Sequence, residues 1–402
     1  MGEGLPVAPV AAMTLVQAFG TMTVFAIPVM APEMAPDLGV PPDRVGLWTS
    51  MLYVIATTVA IFCPDAVVRY GGVRISQAAM VSCAGALGIA SSGTLPMVVA
   101  SAVLLGLGYA LVIPAASHIL IRRTPPRLRN RVFSIRQAGV PIGGMAAGAL
   151  LPPLAVAQGW RAAFLLLAVA PFVMALMLQL LRRDLDADRE PTAPLIRRNP
   201  LGQLTLLWSR PALRRLAGAG FFFAGLELCF GSFLSSYLTT RAGFDLVLAG
   251  ISIAVFQAGG LTGRLLFGWL ADLLRAPQRM LGGLGISMGA VAVVAGFFAT
   301  GWPTSLILIV CFFAGLTSGG WTGVGIAEAA RLAGPGLAAA GASSLTVAMF
   351  GGVIVAPSLF SLIVSITDSY TPAYAAAAFG ALGGGAVLLA ARRSRTEAER
   401  TT

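Results

Sequence analysis

Residues 246–272 read LVLAGISIAVFQAGGLTGRLLFGWLAD, an apolar run whose single charge ahead of the closing aspartate is Arg264. A bilayer core takes roughly 20 consecutive apolar residues per helix, so this run is long enough to cross one. A membrane barrel strand would instead alternate apolar and polar residues over about ten positions. Eleven comparable runs lie around it. Five precede the middle of the chain after the first at 7–31: 45–64, 75–93, 95–121, 132–154 and 160–181; the second half holds 216–240, 280–300, 304–330, 337–366 and 370–391. Of the 402 residues, 57% are hydrophobic and 11% charged, against about 25% charged in soluble chains. The reading is an all-α membrane protein with twelve transmembrane helices in two pseudo-symmetric six-helix bundles. The first run is too long for a signal-peptide core and is read as a retained span.

The segment 182–215, rich in arginine, acids and proline, is too polar to span. It separates an N-terminal bundle (1–181) from a C-terminal bundle with a short basic tail (216–402), and is read as a cytoplasmic central linker. All 27 basic residues are arginine, giving a net charge of +11. In a soluble protein that surplus would suggest nucleic acid. Here 22 of the arginines sit in alternate loops and the tail, and three (Arg44, Arg161, Arg241) sit in the opposite loops. The positive-inside rule accounts for this without nucleic acid and places both termini in the cytoplasm of a multi-pass cell (inner or plasma) membrane protein. Cys63, Cys83, Cys229 and Cys311 lie in or at the ends of apolar runs without CxxC spacing, as buried small hydrophobes. With His118 as the only histidine, the sequence offers no metal site and no cofactor-binding motif.

Three short patterns carry a family likeness. Residues 263–272 read GRLLFGWLAD, residues 64–71 read PDAVVRYG, and residues 139–144 read GVPIGG. With the six-plus-six arrangement, they resemble the major facilitator superfamily. Its loop after helix 2 carries a glycine, aspartate, arginine and glycine pattern that recurs after helix 8. The second copy matches through Gly268, Leu270, Ala271 and Asp272. The first is degenerate, keeping Arg69 but holding Val68 where the aspartate would stand. The resemblance implies a monomeric secondary transporter whose halves rock about a central site, with Gly268, Asp272 and Arg69 in the gating motif.

Two arginines fall inside apolar runs. A charge in a spanning helix costs roughly 2.5–3.5 kcal/mol on insertion scales, so it is normally paired or faces a watery cavity. Arg264 lies about 12 Å from the end marked by Asp272, beyond comfortable snorkelling reach; Arg136 is only about 8 Å past Arg131 and either snorkels or leans inward. In proton-linked monocarboxylate transporters, a helix-8 arginine four residues before a glycine binds the substrate carboxylate, as Arg264 stands to Gly268. The resemblance therefore implies recognition of a small anion at Arg264; the alternative is an internal pair with Glu227 or a brace at the gate beside Asp272. That group's aspartate four residues before its arginine is Gly260 here. Glu227, near the midplane of the seventh run, is the carboxyl group left for proton exchange, its alternative being a static ion pair. Gln17, Tyr53, Gln137, Gln257 and Trp321 are polar or amphipathic side chains in spans that suit a cavity lining. Glu328 and Arg331 are spaced for a local ion pair, and His118 for an interfacial contact.

These residues point to proton-coupled symport of a small organic anion, with a carboxylate as the leading substrate class. A proton-coupled exporter of hydrophobic or cationic compounds is the alternative. The helix-5 motif leans toward export, but Val140 interrupts the antiporter form Gly-Pro-x-x-Gly-Gly, and arginines in a cavity repel cations. An enzyme would need a polar catalytic cluster, and the chain has no HExxH and no lysine for a nucleotide-binding loop.

Overall fold

Hydrocarbon offers no partner to backbone N–H and C=O groups, so continuous apolar runs satisfy them within their own segment, as helices. The computed structural model describes residues 6–125, 128–195, 205–274, 276–334 and 336–398. Among the described residues, twelve helices are long and apolar enough to cross a membrane: α1 (Val7–Leu38), α2 (Val45–Phe62), α3 (Gly72–Ala90), α4 (Leu95–Arg123), α5 (Arg129–Gln158), α6 (Trp160–Leu185), α7 (Pro211–Arg241), α8 (Leu246–Leu274), α9 (Pro277–Ala295), α10 (Thr304–Ala333), α11 (Ala338–Thr367) and α12 (Tyr370–Ala398). No strand occurs among the described residues. The chain is an all-α, multi-pass membrane protein. Its outer surface shows the inverted polarity that a bilayer demands. On α6, Leu165, Leu166, Val169, Phe172, Val173, Leu176, Met177 and Leu180 are all exposed, at the three- and four-residue spacing of one helical face.

Most helix ends lie a few residues from the sequence expectation, and two departures bear on the site. α1 runs seven residues past Ala31 to Leu38, through Pro28, Pro32 and Pro36, and ends at Gly39, whose left-handed backbone (φ +64°) returns its N–H to Pro36. Spaced four apart, the prolines share one face of the helix. α4 breaks at Ala110–Leu111, between a first half ending at Tyr109 and a second starting at Val112. Pro114 has no N–H to give the carbonyl of Ala110, which marks the break chemically.

Contacts divide the chain into two compact units, 1–42 with 51–200, and 43–50 with 201–402. In the first, α1 packs on α5 and α3 on α6; in the second, α7 packs on α11 and α9 on α12. The pairing therefore repeats six helices on. α8 packs on α10 in the second unit, and the corresponding contact of α2 with α4 includes Ala56 and Ala110.

Glycine sets how close these helices come. A Cβ on Gly139 of α5 would stand 2.6 Å from the carbonyl oxygen of Thr14 on α1, and one on Gly143 would press into that of Ala18. In the second unit, Gly259 and Gly263 of α8 meet the carbonyls of Phe312 and Leu316 on α10 in the same way. Backbones at this separation gain packing that larger residues would prevent, and in lipid that packing is the main attraction between helices. Gly143→Ala is expected to lower stability by about 1–3 kcal/mol through overpacking. Gly283→Ala, whose Cβ meets nothing within 4 Å, serves as the control. Thermal melts in detergent compare the two, and equal midpoints would refute the close-approach account.

Candidate functional site

The α1–α5 glycine seam sets Gln17 of α1 beside Arg136 of α5. Arg136 is 1% exposed and does not reach for the interface. Its Nη2 donates to Gln17 Oε1 at 2.5 Å and its Nη1 to Gln137 Oε1 at 3.0 Å, while Nε has no hydrogen-bond partner. Among the described residues, no carboxylate forms an ion pair with it. Gln17 is fully buried, and its Nε2 donates to Thr21 Oγ1 (3.1 Å) and Tyr109 Oη (3.0 Å). The hydroxyls of Thr21 and Tyr109 are 3.4 Å apart. The first unit thus holds a buried guanidinium surrounded by neutral dipoles. Thr21 and Tyr109 were not among the sequence candidates. Thr21 lies one turn after Gln17, a signal available in the sequence, whereas Tyr109 arrives through the break in α4.

The second unit holds a different arrangement. Arg264 follows Gly263, whose contact with Leu316 fixes α8 against α10. Its Nη2 lies 3.5 Å from Glu227 Oε1 on α7, with the two side chains 18% and 28% exposed. Arg264 Nε has no hydrogen-bond partner. A charge-assisted N–H···O bond usually measures about 2.7–2.9 Å, so this pair is loosely closed. Trp321 of α10 is fully buried beside Glu227, edge-to-face with Phe223 (centroids 5.4 Å apart), and its indole N–H makes no well-formed hydrogen bond. Gln257 is buried on α8, about 10 Å before Arg264 along the helix axis. Tyr53 is half-buried on α2. Glu328, 2% exposed, accepts two hydrogen bonds from Arg331 at 2.5 and 2.6 Å, a local pair within α10.

At the family's loop motifs, Gly268 lies within α8 with open space where a Cβ would be, and the side chain of Asp272 lies outside the described residues. Arg69, in a short helix (Ala66–Tyr70), donates from Nη1 to the carbonyl of Ala193 at 3.3 Å. A carboxylate is present at this loop, although Val68 does not supply it. Asp186, at the end of α6, accepts from the backbone N–H of Val73 (2.8 Å) and of Arg74 (3.0 Å), capping the start of α3. Gly71, with φ +94°, leaves the space Asp186 occupies: a Cβ there would stand 2.6 Å from its carboxylate oxygens. Next to it, Asp188 meets His118 Nε2 at 2.8 Å and pairs with Arg122, and Asp184 pairs with Arg123 at 2.7 Å. The acidic start of the linker is therefore bound to the first unit.

Comparison with known proteins gives the family. The profile of the Major Facilitator Superfamily matches residues 13–357. The chain is 24% identical over 330 residues to the 4-hydroxybenzoate transporter PcaK of Acinetobacter baylyi, covering 70% of this chain and 68% of that one. Among solved structures, a peptide transporter POT in complex with sulfate superposes with a TM-score of 0.75 at 16% identity, over 96% of this chain and 94% of that one. A bacterial homolog of the human lysosomal transporter Spinster, inward-facing and occupied, gives 0.71 at 17% identity, over 100% and 98%. At these identities the structural likeness speaks for the fold.

The Asp186 cap makes a direct prediction. Asp186→Ala removes the acceptor of two backbone N–H groups and is expected to cost about 1–2 kcal/mol. Hydrogen exchange at Val73 and Arg74 measures it: faster exchange confined to the start of α3 is expected, and unchanged protection would refute the cap.

Proposed function

Because the chain belongs to the major facilitator superfamily, we propose that it is a secondary transporter of a small organic anion, a carboxylate, working by alternating access with proton coupling. Family and fold point to a transporter and not to an enzyme. The observation that carries the anion reading is Arg136: a guanidinium 1% exposed, its terminal nitrogens held by two neutral amide oxygens, with no carboxylate paired to it among the described residues. A buried cation without a counter-charge is costly. A substrate carboxylate supplies that charge, and a forked guanidinium suits its two oxygens. Gln17 and Gln137 act as positioning residues that hold the fork in the meantime. The relative named as a 4-hydroxybenzoate transporter supports an organic acid as cargo.

Arg264 and Glu227 serve as the coupling pair of the second unit. At 3.5 Å their contact is loose enough for a substrate anion to compete for Arg264, with Glu227 exchanging a proton as it does so. Gln257, Trp321 and Tyr53 are assigned to the lining of the substrate path, and Arg69, Gly268 and Asp272 to the gate. The linker, both termini and the arginine-rich loops are assigned to the cytoplasmic side.

Uptake into proteoliposomes tests the reading with 4-hydroxybenzoate, benzoate, acetate and formate as probes. Arg136→Gln is expected to cut uptake of the best probe about 100-fold, the equivalent of one charge-assisted contact. Wild-type uptake of none of these acids, or undiminished uptake by the variant, would overturn the anion reading. Glu227→Gln is expected to abolish the dependence of uptake on a pH gradient while leaving exchange of labelled for unlabelled substrate intact. Unchanged dependence on the gradient would refute the coupling role.

A further inference from the structure

Away from these residues, α7 and α12 of the second unit leave a groove of about 430 Å³ between them. Its floor is glycine. Gly218 on α7 and Gly383 on α12 each have nothing within 4 Å of where a Cβ would stand, so both look onto open space. Its walls are apolar, and two of them, Phe222 and Phe379, are 46% and 79% exposed. At one end stand Arg214 and Arg215, both exposed, with no ion pair to any acid among the described residues. At the other end the groove meets a smaller hollow that shares Phe222 and runs on to Leu226. From Arg214 to Leu226 the path covers about 18 Å along α7, slightly more than the roughly 15 Å half-thickness of a bilayer core.

We propose that this groove is a binding site for one anionic phospholipid of the adjoining leaflet, its phosphate held by Arg214 and Arg215 and one acyl chain laid along the glycine floor. The occupant follows from charge and shape together. An apolar trough as deep as a leaflet, with two guanidinium groups at its interfacial end and, among the described residues, no acid paired with them, complements a molecule with a negative head and a hydrocarbon tail. Guanidinium forks pair well with phosphate oxygens. A neutral lipid would leave both arginines without a counter-charge. A second copy of this chain would set an apolar span against the groove but bring no charge to the two exposed arginines at its end.

The test uses the full chain, reconstituted with equal parts phosphatidylglycerol and phosphatidylcholine, extracted in mild detergent and weighed by native mass spectrometry. Wild type is expected to retain one phosphatidylglycerol and no phosphatidylcholine. Arg214→Gln with Arg215→Gln is expected to lower that retention about thirty-fold. Gly218→Leu with Gly383→Leu, which fills the floor from two positions where an added Cβ meets nothing within 4 Å, is expected to lower it comparably while both arginines stay. Melting in neutral detergent checks that each variant folds. Retention unaffected by the arginine changes would overturn the proposal. So would retention that depends on the arginines but survives the groove-filling pair, which would mean surface attraction alone. A dimer that the groove-filling pair dissociates, without bound lipid, would assign the groove to a second copy and overturn it equally.

Discussion

A guanidinium shut away from water keeps its charge, so whatever surrounds it must answer that charge with dipoles or with an ion. Among the described residues of the first unit, the answer at Arg136 is made of dipoles only: two amide oxygens at 2.5 and 3.0 Å, backed by Thr21 and Tyr109 through Gln17. Neutral acceptors orient the fork but leave its charge uncompensated. That residual charge is what the proposed carboxylate substrate would answer.

The helices that carry this group are held by features unrelated to charge. Gly139 and Gly143 let α5 lie against the carbonyls of α1, and without that proximity Gln17 would not reach Arg136. In the second unit the seam of Gly259 and Gly263 with α10 does the same for Arg264, Trp321 and Glu227. Chemistry and packing thus share the same few turns of helix. The two units differ in their answer to a buried arginine: neutral amides in one, a carboxylate at 3.5 Å in the other.

Much of this was legible in the residues. Twelve spans follow from apolar continuity alone, because a run without charge has few other fates. Arg136 and Arg264 stand out because each interrupts such a run, and Gln17 and Gln137 because amides are rare there. For Arg264 the sequence left two readings open, and the structure shows it near Glu227, a contact no spacing rule gives because the two lie on different helices. Tyr109 was missed, since a tyrosine in a span is unremarked until a helix break aims it. The Asp186 cap was missed because it joins residues 113 apart, and only tertiary structure brings a carboxylate to a helix start at that distance. α1 runs past its apolar stretch, and in its last turn Asp37 accepts a hydrogen bond from Trp160 and pairs with Arg161, partners on α6 that apolar continuity does not reveal.

The interruption in α4 gives that span two separate tasks. Its first half ends in the phenol that touches Gln17, and its second half carries His118 and Arg122, which grip Asp188. The break at Ala110–Leu111 lets the two halves of α4 take different directions, so that one can meet Gln17 in the interior of the unit while the other holds the linker's acidic start.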